Sequence, residues 1–193
     1  MPATIKFDRR QLAKLSEALK GSPKEIKSNL RVAVNNTLKW TGTQIARVVT
    51  QELTAKVGVV KKAVRPKRAK GNDLTAVMTV KKEKKLPLKE FKATHVKKGV
   101  SYKISKREGK KLLPSAFMGG KPGKKTARWN GNVLMRTGKE KTPIQVKYGV
   151  SPWGVYVKSG KDRSIRRETK AQLRKEIERR IKFIQLKHSG EIK

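Results

Sequence analysis

From Ile26 to Leu53, apolar or small side chains return every third or fourth residue, and no proline interrupts them. The positions are Ile26, Leu30, Ala33, Val34, Thr37, Leu38, Thr41, Ile45, Val48, Val49 and Leu53. Only an α-helix places such a series on one face. Ser22 can cap its start, Pro23 suits the first helical position, and Glu25 offers the return arm of a capping box. Read without a break, the helix takes 33 residues and is about 50 Å long. Gly42 is its weak point, at a cost of about 1 kcal/mol against alanine. A domain of this size cannot cover so long an apolar stripe. The helix is expected to break near Gly42 or to pack on a neighbouring subunit, with Ile45 and Val49 as candidate interface residues.

Other stretches have other periods. Residues 8–20, "DRRQLAKLSEALK", place Leu12, Leu15 and Leu19 on a helical face that Gly21 ends. They complete an N-terminal helical segment over 1–64, with a short helical turn at 57–64. Residues 65–72, "RPKRAKGN", read as a basic connector. From 73 to 160 the pattern is strand-like. "DLTAVMTVKK" is rich in β-branched residues, and "FKATHVKKGVSYKISKR" sets Phe91, Ala93, Val100, Tyr102 and Ile104 on one face. "NVLMRTG", "PIQVKYGV" and "GVYVKSG" are short runs bounded by Gly and Pro. About five or six strands are expected, with an extended loop over 113–131. Residues 161–193 return to helix. Leu173, Ile177, Ile181 and Ile184 form its stripe, and Glu176/Arg180 and Glu178/Lys182 are pairs in the favourable order. This helix is expected to pack back on the sheet. The class is α+β in one domain: N-terminal helices including a long one, a small, mostly antiparallel sheet, and a C-terminal helix.

Charge limits the setting. Lys and Arg number 51 against 14 acids, a net of +37. A compact monomer with that charge repels itself, so an anionic partner is expected. No apolar run approaches the roughly 20 residues of a spanning helix, and the first residues lack the apolar stretch of a secretory signal. A membrane is the weakest of the anionic partners. Cysteine is absent, which excludes disulfides and thiolate metal sites. A soluble, intracellular assembly setting is expected.

Catalytic chemistry finds little support. In "LPSAFMGGKPGKKTARWNG" a phosphate-binding loop would need a second glycine five residues after the first. Gly119 and Gly120 are followed there by Lys124 and Lys125. The carboxylates are scattered among lysines, and His95 and His188 have no companion at metal-ligand spacing. No catalytic, cofactor or metal residue is assigned, and no cofactor is expected. The cations carry the signal. Lys61, Lys62, Arg65, Lys67 and Arg68 lie in an acid-free run, and Lys121, Lys124, Lys125 and Arg128 in the glycine-rich loop. Aromatics, the stacking platforms of single-strand binders, make up only 5% of the chain. Any contact with nucleic acid is therefore through charge, without sequence readout.

Several segments together are similar to a known family. They are "QIARVVTQELTAKVGVVKKAVRPKRA", "LPLKEFKAT" at 86–94, "LPSAFMG" at 113–119 and "ARWNGNVLMRTGKEKTPIQVKYGVSP". The arrangement resembles the minor tail protein Z family of long-tailed phages, the lambda-type tail completion proteins, from about Asn36 to the last helix. The resemblance implies a virion structural protein, assembled in the host cytoplasm into a homo-oligomeric ring at the head-proximal end of the tail. Tail terminator, tail tube and head–tail connector proteins would be its partners, with packaged DNA as a further contact and no enzymatic activity. On this reading Phe117, Met118 and Trp129 bury apolar surface in an adjacent subunit, and the cations meet acidic groups or DNA. The alternatives are a non-specific nucleic-acid-binding protein of ribosomal or nucleoid type and, behind it, an enzyme such as a nuclease.

Overall fold

The long helix, α1, runs unbroken from Pro23 to Glu52 in a computed structural model that describes residues 3–5, 23–71, 73–120, 129–138, 140 and 142–191. The helical segment expected at 8–20, and Ser22, the cap expected for α1, lie outside these residues. Thirty residues make α1 about 45 Å long. The expected break at Gly42 does not occur. A Cβ at Gly42 would lie 2.9 Å from the Met78 methyl, so the missing side chain admits a neighbour rather than weakening the helix. Of the eleven stripe positions named above, all but Val48 are buried.

The other elements follow in chain order. Strand β1 is Ala3–Ile5, α2 is Val57–Ala63, β2 is Val64–Lys67 and β3 is Ala76–Val80. A 3-10 turn at Leu88–Glu90 precedes β4 (Thr94–Val96), β5 (Gly99–Tyr102), β6 (Lys111–Pro114) and β7 (Ala116–Met118). Then come β8 (Val133–Arg136), β9 (Ile144–Val146), α3 (Pro152–Lys158) and α4 (Asp162–His188). The architecture is α+β. In place of one small sheet, nine strands among the described residues form three three-stranded antiparallel sheets, ordered β1-β3-β2, β4-β5-β6 and β7-β8-β9. The chain divides into two compact units, one of residues 1–45, 64–80 and 161–193, the other of residues 46–63 and 81–160.

In the first unit α1 and α4 lie side by side and antiparallel. Glu25 meets Lys187, Asn36 meets Glu176, and Thr41 meets Thr169. Ile26, Leu30, Leu74 and Ile184 form a buried cluster, with Ile177 packed against it. Each such side chain is worth about 1.5–3 kcal/mol of burial. The threonine hydroxyls on this seam are satisfied, while Arg180 Nε is buried without a hydrogen-bond partner among the described residues. The Thr37 and Thr41 hydroxyls donate to the carbonyls of Ala33 and Thr37, both at 2.9 Å, and the Thr41 and Thr169 hydroxyls share a bond of 3.0 Å. The last helix thus covers the long one, where packing on the strand region was expected. Glu176 reaches Asn36 across the seam at 3.2 Å. Among the described residues it forms no salt bridge with Arg180, nor Glu178 with Lys182, contrary to the pairing read from spacing.

The stretch read as a basic connector is structured. Val64–Lys67 pairs with β3 in the register Val64↔Val80 to Lys67↔Val77. Pro66 is tolerated because β2 is an edge strand, where one side needs no donor. The next turn is tied to α1. Asn35 accepts from the Ala69 amide at 3.0 Å and donates to its carbonyl at 3.2 Å, and Arg31 donates to the Gly71 carbonyl at 3.3 Å. Local propensity could not reveal these bonds, because their partners lie about ten to forty residues away.

In the second unit residues 86–88 pair with 147–150. The Leu86 amide donates to the Val150 carbonyl, that of Leu88 to Lys147, and that of Gly149 to Leu86. Leu86, Leu88 and Phe91 are buried. Val100 is buried as expected, while Tyr102 and Ile104 are half-buried. "GVYVKSG", read as a strand, is the helix α3. Pro152 sits at its first position, and Gly160, at φ +65°, follows its C-cap. Proline at the start and a left-handed glycine just past the end specify a helix, and they outweigh the β preference of Val155 and Val157.

Candidate assembly site

Within 113–131, expected as an extended loop, the described residues 113–120 and 129–131 form a strand corner and a hydrogen-bonded base. Strand β6 ends at Pro114, Ser115 turns at φ +60°, and β7 follows at once. In β7, Ala116 pairs with Met135, Phe117 with Leu134 and Met118 with Val133. The chain then narrows to a neck. The Gly119 amide donates to the Asn132 carbonyl at 3.0 Å, the Gly131 amide to the Gly119 carbonyl at 2.8 Å, and the Asn132 amide to the Trp129 carbonyl at 2.9 Å. Gly131, at φ +68°, supplies a backbone geometry that other residues reach only with strain. Lys89 adds a bond from its ammonium to the Asn130 carbonyl at 2.7 Å.

Glycine at 119 has a second reason. A Cβ there would fall 2.3 Å from the Trp129 Cβ and 2.7 Å from Leu134 Cδ1. Trp129 is therefore seated on the neck. Phe117, Met118 and Trp129 are each half-buried. The Arg136 guanidinium stands 5.6 Å from the Phe117 ring centre, within cation–π range. Phe117 and Met118 are adjacent in β7 and so face opposite sides of its sheet, and Trp129 stands beside Gly119 at the end of the strand.

The other two interface candidates are placed differently. Ile45 and Val49 are 3% and 0% exposed. They are core residues of this chain and have no surface left for a neighbour. The sequence reading missed Leu112, Tyr148 and Val157, all exposed. Leu112 leaves a signal. In a strand, adjacent residues point to opposite faces, so one of Leu112 and Leu113 must face out. Leu112 is 48% exposed, while Leu113 is half-buried.

The basic candidates fall into three groups. Lys61 and Lys62 are exposed in the last turn of α2, where cations complement the helix dipole. Arg65 and Lys67 alternate on one face of the edge strand β2, and Arg68 follows, all exposed. Lys121, Lys124, Lys125 and Arg128 lie outside the described residues.

A cleft of about 380 Å³ in the second unit is lined by the apolar Leu53, Ile104, Val150 and Val155 and the charged Glu52, Arg107, Glu108 and Lys158. Its two carboxylates are engaged. Glu52 accepts from Arg107 at 2.9 Å and Glu108 from Lys111 at 2.7 Å, and the Glu108 bond raises the Lys111 pKa. Among the described residues no group of three or more His, Asp or Glu is placed to hold a metal ion. No helix among them is long and apolar enough to cross a membrane.

One electrostatic tie in the first unit is pH-sensitive. Glu25, in the first turn of α1, accepts from Lys187 Nζ at 2.8 Å and lies 3.3 Å from His188 Nε2. The Lys187 hydrogen bond holds its carboxyl below the ordinary value of 4.5, with partial desolvation opposing and the Lys187 charge and His188 adding to the depression. A depressed pKa contributes stability that is present above the unfolded value and lost as pH falls through the folded one. The expected result is a higher melting temperature for the native chain than for Glu25→Gln at pH 6–7. The gap should close as pH drops below 4.5, and a gap that persists at pH 2 would contradict the assignment.

Compared with protein-family models, curated proteins and solved structures, the chain matches none.

Proposed function

We propose that this chain is a structural, non-catalytic subunit of a phage virion. In this reading it forms a ring at the head-proximal end of the tail and completes the tail for joining to the capsid. Its neighbours are further copies of itself and the tail terminator, tail tube and head–tail connector proteins. The observation that carries the reading is the neck formed by Gly119, Trp129, Gly131 and Asn132. It holds Phe117, Met118 and Trp129 half-buried on a hydrogen-bonded corner, within a segment that carries the resemblance to the minor tail protein Z family. A fixed corner bearing aromatic and methionine surface suits a subunit contact, because little entropy is lost when it docks. The net charge of +37 supports the same reading, since neutralisation by partners relieves self-repulsion.

The test is mass measurement of the full chain, alone and mixed with tails that lack it. A closed oligomer on the tails is expected. Phe117→Ala should lower incorporation about 30-fold, the effect of losing a contact worth about 2 kcal/mol. Its unfolding midpoint in the isolated chain checks that the fold survives. A single copy on tails, or full incorporation of Phe117→Ala and Trp129→Ala, would reject the proposal. Tight binding of nucleic acid by a solitary monomer that ignores tails would favour the nucleoid-type alternative.

A further inference from the structure

The most regular charged surface among the described residues is on α4, and the sequence reading did not single it out. One side of this helix packs on α1 through Thr169, Ile177 and Ile184, and Ile165 is buried as well. On the outer side Arg163, Arg167, Lys170, Arg174, Lys175 and Arg179 are all exposed, with only Glu168 and Glu178 as exposed acids between them. Among the described residues none of the six cations makes a hydrogen bond or an ion pair. At 3.6 residues per turn Arg163, Arg167, Lys170 and Arg174 form one row about 16 Å long, and Lys175 and Arg179 stand on the other flank of the outer side.

Such a row is unfavourable in isolation. Arg163/Arg167, Lys170/Arg174 and Lys175/Arg179 are like-charge pairs four residues apart, which oppose the helix. The opposite face holds it in shape through the bonds of Thr169 to Thr41, Glu176 to Asn36 and Lys187 to Glu25. The result is a rigid rod of uncompensated positive charge. We propose that the outer face of α4 binds the phosphate backbone of duplex DNA without reading its sequence.

Three features favour that occupant. A folded acidic protein would need a desolvated apolar centre with anchors, and between 163 and 179 the exposed side chains other than charged ones come down to Ala171. A single strand would need aromatic platforms, and the exposed aromatic of α4 is Phe183, beyond the row. A membrane would take the apolar side of an amphipathic helix, and here that side is already buried. A stiff polymer of closely spaced negative charge asks only for a matching line of cations. The inference is independent of ring formation, so one can fail while the other stands.

The experiment is binding of the full chain to a 20-base-pair duplex of arbitrary sequence, followed by anisotropy from 50 to 300 mM salt. The variant R167Q/K170Q/R174Q/K175Q removes four cations and keeps good helix formers. Its log–log salt slope should fall by about 3–4, at about 0.9 per lost phosphate contact, with affinity at 150 mM down on the order of 10²–10³-fold. The charge-preserving R163K/R167K/R174K should keep the native slope. Far-ultraviolet circular dichroism and the melting curve confirm that both variants fold. A native slope in the glutamine variant overturns the proposal. So does an equal loss from K61Q/K62Q/R65Q/K67Q, or tighter binding to the single strand than to the duplex.

Discussion

Phe91→Ala is expected to destabilise the chain by about 3–5 kcal/mol, at the upper end for a buried aromatic. The ring is 0% exposed, and it fills the space that a Cβ on Gly149 would otherwise take, 2.4 Å from Phe91 Cε2. The surroundings have little freedom to collapse. The Phe91 amide donates to the Leu88 carbonyl at 3.1 Å, the Phe91 carbonyl accepts from Lys103 at 2.9 Å, and Gly149 is itself bonded to Leu86. The cavity therefore stays open, and its cost adds to the lost transfer energy. In urea the midpoint should fall by about 2 M with the slope unchanged. Gly149→Ala should also destabilise on its own, because its methyl meets the ring. Combined with Phe91→Leu, it should cost less than the two single changes together. Strict additivity, or a midpoint shift below about 0.5 M for Phe91→Ala, would mean that the ring is not packed as described.

Gly99→Ala is expected to be nearly as damaging, through the backbone. Gly99 has φ +143°, and a Cβ there would lie 2.2 Å from the Leu113 carbonyl oxygen and 3.0 Å from the Pro114 Cα. Neither contact can be relieved by turning a side chain. Gly99 pairs with Pro114 at the end of the β5–β6 ladder, so the strands must part there. Strain of about 1–3 kcal/mol for the backbone angle adds to the steric term. A total above about 3 kcal/mol corresponds to a melting temperature roughly 10 °C lower in a chain of this size. The damage should reach the corner at Ser115, because β6 leads through it into β7. Amide exchange at Val100, Ser101 and Phe117 should quicken together. Faster exchange at Val100 with no change at Phe117 would separate the corner from the strand pair that supports it.

The helices of this protein were legible because their signal is local. The apolar series from Ile26 to Leu53 and the stripe from Ile177 to Ile184 each describe one face of a 3.6-residue repeat. That face is buried wherever the partner comes from. Pro23 at the first position of α1 was readable for the same reason. The α3 helix was legible in principle, since Pro152 and Gly160 bracket it. Its valines drew the reading toward a strand.

The candidate site was legible only in part. Phe117, Met118 and Trp129 stand out by residue type. Their common corner depends on bonds among Gly119, Trp129, Gly131 and Asn132, which are up to thirteen residues apart. Ile45 and Val49 look identical in sequence to surface anchors. Whether an apolar face meets this chain or another copy is not encoded in its period. The cationic run at 61–70 drew attention because its members are neighbours in sequence. The exposed row on α4 escaped it because acids and apolar residues are interleaved there.

The sequence alone determined the α+β composition, the long helix, the excess of positive charge and the absence of disulfides. These follow from residue type and spacing, which need no partner to be meaningful. Only the tertiary structure decided that α4 covers α1, that Gly42 makes room for Met78, that 64–67 is a strand, and which cations remain exposed and uncompensated. Each of those depends on segments distant along the chain meeting at a few ångströms. Contact energies are set by that approach, and local propensity carries no record of it.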